Sequence, residues 1–406
     1  MNAVVNDQTA LADRTKLPAD SSALADATSA ITDQTRLPSR MPNVSAADDT
    51  RLPVRPPKVA KQQTVAKVPR LHTQPATARP ELANNTQSSQ PSSSLQGAFE
   101  RLEESVSRVI VGKSLAIRLC LTAAFAGGHI LLEDQPGTGK TQLARALSQS
   151  LGLDHKRMQF TPDLLPSDLL GVTIYQQTSK RWSFRPGPVF TQVLLADEIN
   201  RASPKVQSAL LEVMEEGQVT LDGHTRALAG PFIVVATQND SSQLGTYPLP
   251  EAQLDRFLIS TSLGDPGHEA SLEILTQAGK ENNAQAPASL GTQAFQELQQ
   301  QARAVYASPA ILEYVVRLLE ASRHSDLIER GSSIRGGLGI VSCARVWAGA
   351  QGRDYVIPDD VQALLLPVLA HRITLSPQAR IERISKREVL EEVSACVPVP
   401  QAGECT

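Results

Sequence analysis

A glycine-rich turn at residues 131–141, LLEDQPGTGKT, constrains the fold of this chain more than any other stretch. It follows an apolar run that predicts a strand at 128–132, and a helical pattern continues after it to residue 151. A turn between a strand and a helix directs several backbone N–H groups and the positive end of the helix dipole toward one point, which favours phosphate. Lys140 adds an ammonium group for the outer phosphates, and Thr141 adds a hydroxyl for Mg²⁺. The turn predicts a nucleotide site, with a chance glycine-rich turn as the alternative.

The predicted nucleotide-binding residues surround this turn. They are Pro136, Gly137, Thr138, Gly139, Lys140, Thr141 and Gln142, together with Val111 in the break between the two helices that precede the strand. One position departs from the G-x-x-x-x-G-K-T pattern, because Asp134 stands where the first glycine is expected. A carboxylate that faced phosphate would repel it, so we expect the Asp134 side chain to point away from the site.

Two further apolar runs end in polar residues that suit the same chemistry. VLLADE at residues 193–198 has the pattern of a buried strand that ends in two acids, and FIVVATQN at residues 232–239 ends in an amide. Ligands of a parallel sheet bind beyond the carboxyl ends of its strands, so these side chains would meet the glycine-rich turn. Asp197 suits support of Mg²⁺, Glu198 suits polarising the attacking water, and Asn239 could bond that water and the γ-phosphate. Strands that merely end in solvated side chains are the alternative for each.

Length and composition limit the possible classes of protein. A chain of 406 residues with 41% apolar residues can form two ordinary domains and a tail. Its net charge of -3 gives no general electrostatic reason to expect nucleic-acid or membrane binding. The cysteines form no C-x-x-C pair and no disulfide framework, so zinc and disulfides are not expected. The sequence has no signal pattern and no apolar stretch of about 18 residues, which predicts a cytoplasmic protein without membrane insertion.

The N-terminal residues 1–94 have low complexity and few aromatics, and we predict a disordered tail there. A unit of the form D-x-T-[KR]-L-P recurs in it at residues 13–18, 33–38 and 48–53. Three copies in a flexible arm could act as a multivalent docking motif. Duplication of a neutral linker is an equally acceptable interpretation.

Several long motifs in a fixed order resemble the MoxR family of AAA+ ATPases. They are QFTPDLLPSDLLG (159–171), LLADEINRASPKVQSALLEVMEE (194–216), VVATQN (234–239), GTYPLPEAQLDRF (245–257) and GRDYVIPDDVQALLLPVLAHRI (352–373). The resemblance covers about residues 95–400. It implies an α/β fold: a P-loop NTPase core, with a parallel sheet sandwiched by helices, at residues 95–265, and a small all-α lid at residues 266–406. It also implies ATP and Mg²⁺ as cofactors.

The resemblance gives individual residues their roles. Lys140 and Thr141 match the Walker A pair, Asp197 and Glu198 the Walker B pair, and Asn239 the first sensor. Arg256 matches the arginine finger, which in this family acts on the nucleotide of a neighbouring subunit. Arg335 matches the second sensor, a lid arginine that touches the γ-phosphate, so closure of the lid would bring it onto the nucleotide. Asp240 and Ile334 replace the prolines that are usual beside the two sensors. Without the surrounding motifs, either arginine would be interpreted as a surface salt-bridge partner.

Two hairpins and a run of helices complete the predicted architecture. A hairpin-bearing insert is expected at residues 168–190, where Trp182 and neighbouring aromatics alternate, and a second hairpin is expected at 218–226 around an Asp-Gly turn. In a ring these hairpins would point to the central pore and touch a client, although packing of Trp182 within the fold is the alternative. After Pro266 strand patterns stop, and helices are predicted at 269–278, 292–306, 309–324, 338–351 and 358–370.

The function predicted from these features is ATP hydrolysis by a homo-oligomeric ring, a hexamer, that remodels, matures or assembles a protein client. The resemblance implies partners with von Willebrand A domains. A nucleotide-gated assembly protein with negligible hydrolysis is the alternative. Remodelling of nucleic acid is a third hypothesis, but the sequence has no basic stripe to support it.

Overall fold

A computed structural model describes residues 94–135, 137–239, 246–277 and 290–400. The strands are β1 (His129–Glu133), β2 (His155–Gln159), β3 (Gly171–Gln176), β4 (Arg181–Pro186), β5 (Val193–Asp197), β6 (Gln218–Leu221), β7 (His224–Ala227), β8 (Ile233–Gln238), β9 (Phe257–Thr261), β10 (Ile328–Arg330) and β11 (Thr374–Leu375). The helices of the first half are α1 (Leu95–Ser107), α2 (Ser114–Phe125), α3 (Lys140–Leu151), α4 (Pro166–Leu170), α5 (Pro204–Glu216) and α6 (Glu251–Leu254). Those of the second half are α7 (His268–Gln277), α8 (Thr292–Ala304), α9 (Pro309–His324), α10 (Ile334–Ala350), α11 (Pro358–Leu369), α12 (Pro377–Ile381) and α13 (Lys386–Cys396). Single 3-10 turns occur at Ile199–Arg201 and Ala370–Arg372. The predicted tail and its repeats lie outside the described residues.

Five parallel strands form the central sheet in the order β2-β5-β8-β1-β9. The three middle strands are almost continuously apolar and buried, as expected for a parallel sheet that is covered on both faces. Glu133 pairs in register with Gln238, and Gln159 pairs with Asp197. The carboxyl ends of these strands therefore lie along one edge of the sheet, where the turn and the polar strand ends were predicted to meet.

Two apolar clusters hold the sheet to its helices. The larger one joins α1, α2, α3 and the helices of the second half, and it includes the tilted rings of Phe125 and Phe295, whose centroids are 5.0 Å apart. The smaller one packs α5 and the segment around Phe160 against the other face of the sheet. The α/β fold class with a helical lid is thereby confirmed, while the domain boundaries at residues 94/95 and 265/266 stay predictions.

The lid differs from the prediction in three local features. Helices α12 and α13, after residue 370, were not predicted. Strands do not stop after Pro266, because β10 and β11 form a two-stranded antiparallel sheet. These strands are too short to show an alternating pattern in sequence. In addition, α10 begins at Ile334 rather than at residue 338. Its first turns contain glycines, which lower helix propensity, but a side chain at Gly337 would approach Leu319 to 2.7 Å. Close helix packing therefore requires the glycines that obscured the start of this helix.

Two buried histidines give the fold a pH dependence. The Val234 N–H donates to His129 Nδ1, so Nε2 carries the proton and donates to the Met214 carbonyl at 3.1 Å. His371 Nε2 donates to the Phe257 carbonyl at 2.9 Å. Burial lowers the pKa of His129 to about 4 and, with help from Arg372, lowers that of His371 to about 3. Both histidines are neutral in the folded protein.

We expect the free energy of unfolding to fall as the pH drops from about 6.5 toward 4. In this range the histidines bind protons in the unfolded chain but stay neutral in the folded protein, where their pKa values are lower. Each histidine contributes up to about 1.4 kcal/mol per pH unit in this window. Urea unfolding at about pH 7 and pH 5 measures the loss, and His129→Gln should reduce it. A substitution of the exposed His224 serves as the control. If His129→Gln leaves the loss as large as in the wild type, burial of His129 is not its cause.

Candidate active site

The two glycines of the glycine-rich turn adopt a backbone conformation that other residues rarely adopt. Gly137 and Gly139 have φ angles of 90° and 93°, in the left-handed region that favours glycine, and a Cβ at either position would face open space. Gly139 caps α3, which begins at Lys140. The free N–H groups of the first helical turn therefore face the concave side of the turn. Pro136 lies outside the described residues.

Lys140 lies at the centre of the site. Its Nζ donates to the carbonyls of Asp134 at 2.6 Å and Gln135 at 2.8 Å and to Asn239 Oδ1 at 3.2 Å. Burial lowers the pKa of Lys140, and the carboxylates of Asp134, Glu198 and Asp197 act in the opposite direction. The ammonium group is thus held between the turn and the tip of β8.

The carboxylate of Asp134 points away from this centre, as predicted. Its Oδ2 accepts hydrogen bonds from the backbone N–H groups of Leu263 at 2.8 Å and Gly264 at 2.7 Å, and Oδ1 accepts one from Gln135 at 2.9 Å. The aspartate therefore ties the turn to the segment after β9. It replaces the first glycine of the motif without placing its charge in the site.

The two acids at the end of β5 have different environments. Asp197 is buried, and its Oδ1 accepts from Thr141 Oγ1 at 3.2 Å and from Thr237 Oγ1 at 3.3 Å. Glu198 has a left-handed backbone with φ of 55°, an uncommon conformation for a residue other than glycine, and its N–H donates to Thr237 Oγ1 at 2.9 Å. Asp197 therefore faces the threonine of the turn, and Glu198 has a left-handed conformation just before the 3-10 turn.

Asn239 connects the lysine to the second acid. Its Oδ1 accepts from Lys140, and its Nδ2 donates to Glu198 Oε1 at 3.2 Å. The backbone carbonyl of Asn239 accepts from Asn200 Nδ2 at 3.0 Å. Sequence reasoning missed Asn200, although a polar residue two positions after Glu198 was a possible signal.

These side chains line one cavity of about 300 Å³. The predicted residues that line it are Gly137, Gly139, Lys140, Thr141, Gln142, Asp197, Glu198 and Asn239. Val111 and Thr138 are not among them. Val111 lies between α1 and α2, beside Gly112, where an added Cβ would touch Ala270 of α7. The Thr138 hydroxyl donates to the Gln135 carbonyl at 3.1 Å. A larger groove of about 970 Å³ between α2, α11 and α13 contains none of the predicted residues, so chemistry rather than volume identifies the site.

The residues present fit Mg²⁺ and a polyphosphate. Mg²⁺ prefers oxygen ligands, and the Thr141 hydroxyl and the Asp197 carboxylate meet at the end of the sheet. Phosphate oxygens fit the N–H groups and the ammonium group of the turn. Glu198 supplies a carboxylate beside these groups that can accept a hydrogen bond from water.

Two further arginines in the cavity region were not predicted. Arg157 of β2 places Nε 2.6 Å from Asp197 Oδ2, and Arg201 places Nε 2.8 Å from Glu198 Oε2. Each acid of the predicted Walker B pair therefore has its own guanidinium partner. Arg157 lies near the end of β2, which pairs with β5. The sequence pattern did not predict β2 as a strand, so the position of Arg157 beside the acids could not be inferred.

The structure does not bring Arg256 and Arg335 to this cavity. Arg256 directly precedes β9, whose first residue pairs with the first residue of β1. It therefore lies at the N-terminal end of these strands, whereas Lys140 follows the C-terminal end of β1. The five residues of β1 separate the two ends of the strands by about 15 Å. Arg256 Nε and Arg335 Nη2 both bond Glu215, at 2.8 Å and 2.5 Å, and these bonds hold the pKa of Glu215 below its usual range.

The expectation that lid closure brings Arg335 onto the nucleotide of its own chain therefore needs correction. The start of α10 is held at the far edge of the sheet by Glu215 and by the bond from Ser333 Oγ to Asp255 Oδ2 at 3.3 Å. Sequence motifs assigned Arg335 to the second-sensor position. They did not show at which end of the strands the start of α10 packs.

The two predicted hairpins are present as β3–β4 and β6–β7. The second one turns at Asp222 and Gly223, with φ angles of 52° and 74°, as the Asp-Gly pair predicted. Trp182 is 70% exposed and contacts Tyr175 with the two rings tilted at 58°, so it is not packed in the core. The Arg226 guanidinium lies 4.0 Å from the ring centroid of Phe184 and joins the two hairpins.

Comparisons with known proteins agree with this geometry. The sequence profile of the ATPase family associated with various cellular activities (AAA) matches residues 129–259, and that of the AAA lid domain matches residues 320–393. The uncharacterized protein YeaC of Bacillus subtilis is 47% identical over 73% of this chain and 93% of its own length. Chaperone MoxR1 of Mycobacterium tuberculosis is 41% identical over 75% of this chain and 83% of its own, and Protein MoxR of Paracoccus denitrificans is 35% identical over 75% and 97%.

A crystal structure from Cytophaga hutchinsonii, provisionally described as that of an ATPase, has a TM-score of 0.70 and 37% sequence identity to this chain. It matches 76% of this chain and 96% of its own. Within the part of the chain that the structure describes, no helix combines the length and apolar character needed to cross a membrane. The same residues contain no cluster of three or more His, Cys, Asp or Glu side chains that could hold a metal ion.

Proposed function

Because this chain belongs to the MoxR family of AAA+ ATPases, we propose that it binds Mg²⁺–ATP at the Lys140 turn and hydrolyses it to remodel, mature or assemble protein partners. The observation that carries the proposal is the bridge made by Asn239, which bonds Lys140 and Glu198 at 3.2 Å each. A phosphate-binding cation, a sensor amide and a candidate base thereby share one cavity.

In the proposed mechanism each group has one task. The turn and Lys140 would bind the β- and γ-phosphates, and Thr141 with Asp197 would hold the metal, whose charge would offset that of the phosphates. Glu198 orients and polarises the attacking water, because its carboxylate is the acid at the strand tip that also contacts Asn239. Asn239 keeps Glu198 and Lys140 in register with the terminal phosphate.

The arginine pair suggests a second part of the mechanism. Arg256 and Arg335 lie together at the edge opposite the cavity, so neither reaches the nucleotide of its own chain. We propose that the protein forms a hexameric ring and that both arginines act on the nucleotide of the next subunit. Glu215 orients them through its two ion pairs. Arginines supplied in this way stabilise the charge of the transition state.

The exposed hairpins suggest where a client would bind. Trp182 and Tyr175 form an exposed aromatic pair beside Lys180 and Arg181, which suits an extended segment with apolar and acidic residues. From the sequence we further propose that the partners contain von Willebrand A domains. We also propose that the protein is cytoplasmic and does not bind nucleic acid. The alternative function is nucleotide-gated assembly with negligible hydrolysis.

The test is steady-state phosphate release from the wild type and from Glu198→Gln. We expect the variant to lose at least about 100-fold in rate, because it cannot accept a proton from the water, and to retain ATP binding. Glu212→Gln, an exposed change on α5, should match the wild type. Equal background rates for wild type and Glu198→Gln, with ATP binding intact, would reject the motor and support the assembly protein.

A further inference from the structure

Arg157 is a charged side chain that lines the cavity and that the proposed mechanism does not use. It lies on β2, the edge strand next to β5, and lines the cavity together with Gln159, two residues further along the same face. Its Nε is 2.6 Å from Asp197 Oδ2. Among the described residues, no hydrogen bond engages its Nη1 or Nη2.

An ordinary surface ion pair is the simplest interpretation, since exposed pairs contribute little to stability. Two observations separate Arg157 from that class. Its partner Asp197 is a carboxylate whose side chain is only 4% exposed, whereas the Arg157 side chain is 59% exposed. The bond to Asp197 also uses Nε alone, which leaves the two-pronged end of the guanidinium available in a cavity that contains the phosphate-binding turn.

The position of Arg157 indicates which phosphate it can reach. The turn follows β1, whereas Arg157 lies on β2, and β5 and β8 separate these strands in the sheet. The arginine therefore approaches the cavity from the side opposite the turn. Asp197, to which it is bonded, is the acid that would hold the metal together with Thr141, and a metal held there would neutralise charge on the outer phosphates.

We propose that Arg157 is a γ-phosphate sensor within the same chain: Nε stays on Asp197 while the Nη pair donates to the terminal phosphate. This inference rests on the proposed ATP site. The guanidinium suits the task because its planar fork matches two phosphate oxygens, a geometry that a lysine ammonium lacks. Arg157 thereby distinguishes ATP from ADP and joins the metal-binding acid to the phosphate that leaves.

Equilibrium binding of ADP and of a non-hydrolysable ATP analogue, both with Mg²⁺, tests the proposal without depending on turnover. For Arg157→Gln we expect the Kd of the ATP analogue to rise by about 10-fold to 100-fold, the usual effect of losing a charged hydrogen bond, and the Kd of ADP to change by less than about twofold. Arg157→Lys keeps the charge but not the fork, so its Kd for the ATP analogue should be intermediate.

Lys156→Gln is the matched control, because it removes one positive charge from the neighbouring position of β2. The Lys156 ammonium donates to the Phe190 carbonyl at 3.1 Å and does not line the cavity. Its Kd values should equal those of the wild type for both nucleotides. Equal weakening of ADP and the ATP analogue in Arg157→Gln, or no change in either, would overturn the sensor role. A wild-type protein that binds neither nucleotide would instead refute the proposed ATP site itself.

Discussion

Mixing Lys140→Ala subunits with Arg256→Ala subunits should restore ATP hydrolysis that neither variant shows alone. The first variant has no cation for the phosphates but keeps its arginines, and the second keeps its cavity. Loss of an arginine of this type costs about 10³-fold to 10⁵-fold in rate, so each variant alone should be close to background. In a random one-to-one mixture about a quarter of the interfaces of a closed ring combine an intact cavity with an intact neighbouring arginine. Phosphate release from the mixture should approach that fraction of the wild-type rate.

The same experiment decides which subunit Arg335 serves. If Arg335 acts across the interface, mixtures of Lys140→Ala with Arg335→Ala regain activity in the same way. If it acts within its own chain, they do not, because each intact cavity then lacks its own Arg335. Arg317→Ala, an exposed change on α9, is the control that should leave turnover unchanged. Full activity of a strict monomer would contradict the entire interface mechanism.

Arg372→Met should produce the largest loss of stability, about 3–5 kcal/mol in the free energy of unfolding. Arg372 is buried where α11 ends, and its Nε donates to Asp255 Oδ1 at 2.7 Å. Its other nitrogens donate to the backbone carbonyls of Asp255, Phe257, Leu258 and Val368. Burial lowers the pKa of Arg372, and Asp255 acts in the opposite direction. Methionine fills a similar volume but leaves Asp255 and four carbonyls without this donor.

Urea unfolding of Arg372→Met, Asp255→Asn and the double variant measures this effect. The double variant should lose less than the sum of the two single losses, because the unpaired charge is removed together with its partner. Arg380→Met, which breaks the exposed pair with Glu329, should cost less than about 1 kcal/mol. A loss for Arg372→Met as small as that of the control would show that the buried bonds do not hold the lid.

Arg372 also contacts both neighbours of Arg256 in the chain. Its Nη2 donates to the carbonyls of Asp255 at 3.1 Å and Phe257 at 2.6 Å. The lid and the arginine pair therefore form one connected unit on the far edge of the sheet, together with the bonds from Arg335 and Ser333. In the proposed ring, movement of the lid would carry Arg256 with it, which would connect one cavity to the next.

The amino-acid sequence by itself determined the cavity chemistry. Lys140, Asp197, Glu198 and Asn239 each follow or end an apolar strand, and parallel strands bring such ends to one edge. The outward direction of Asp134 followed from charge repulsion alone. These inferences depend on local geometry and on a single rule of sheet topology, so no long-range packing had to be known.

Only the tertiary structure decided what surrounds those residues. The pairs Arg157–Asp197 and Arg372–Asp255, and the fork of Arg256 and Arg335 on Glu215, join elements that are 40 to 120 positions apart in the chain. No sequence period links such positions, because their contacts arise from how the lid and the edge strand pack. For the same physical reason, the motif that identified Arg335 could not show that this residue lies at the opposite end of the strands from Lys140.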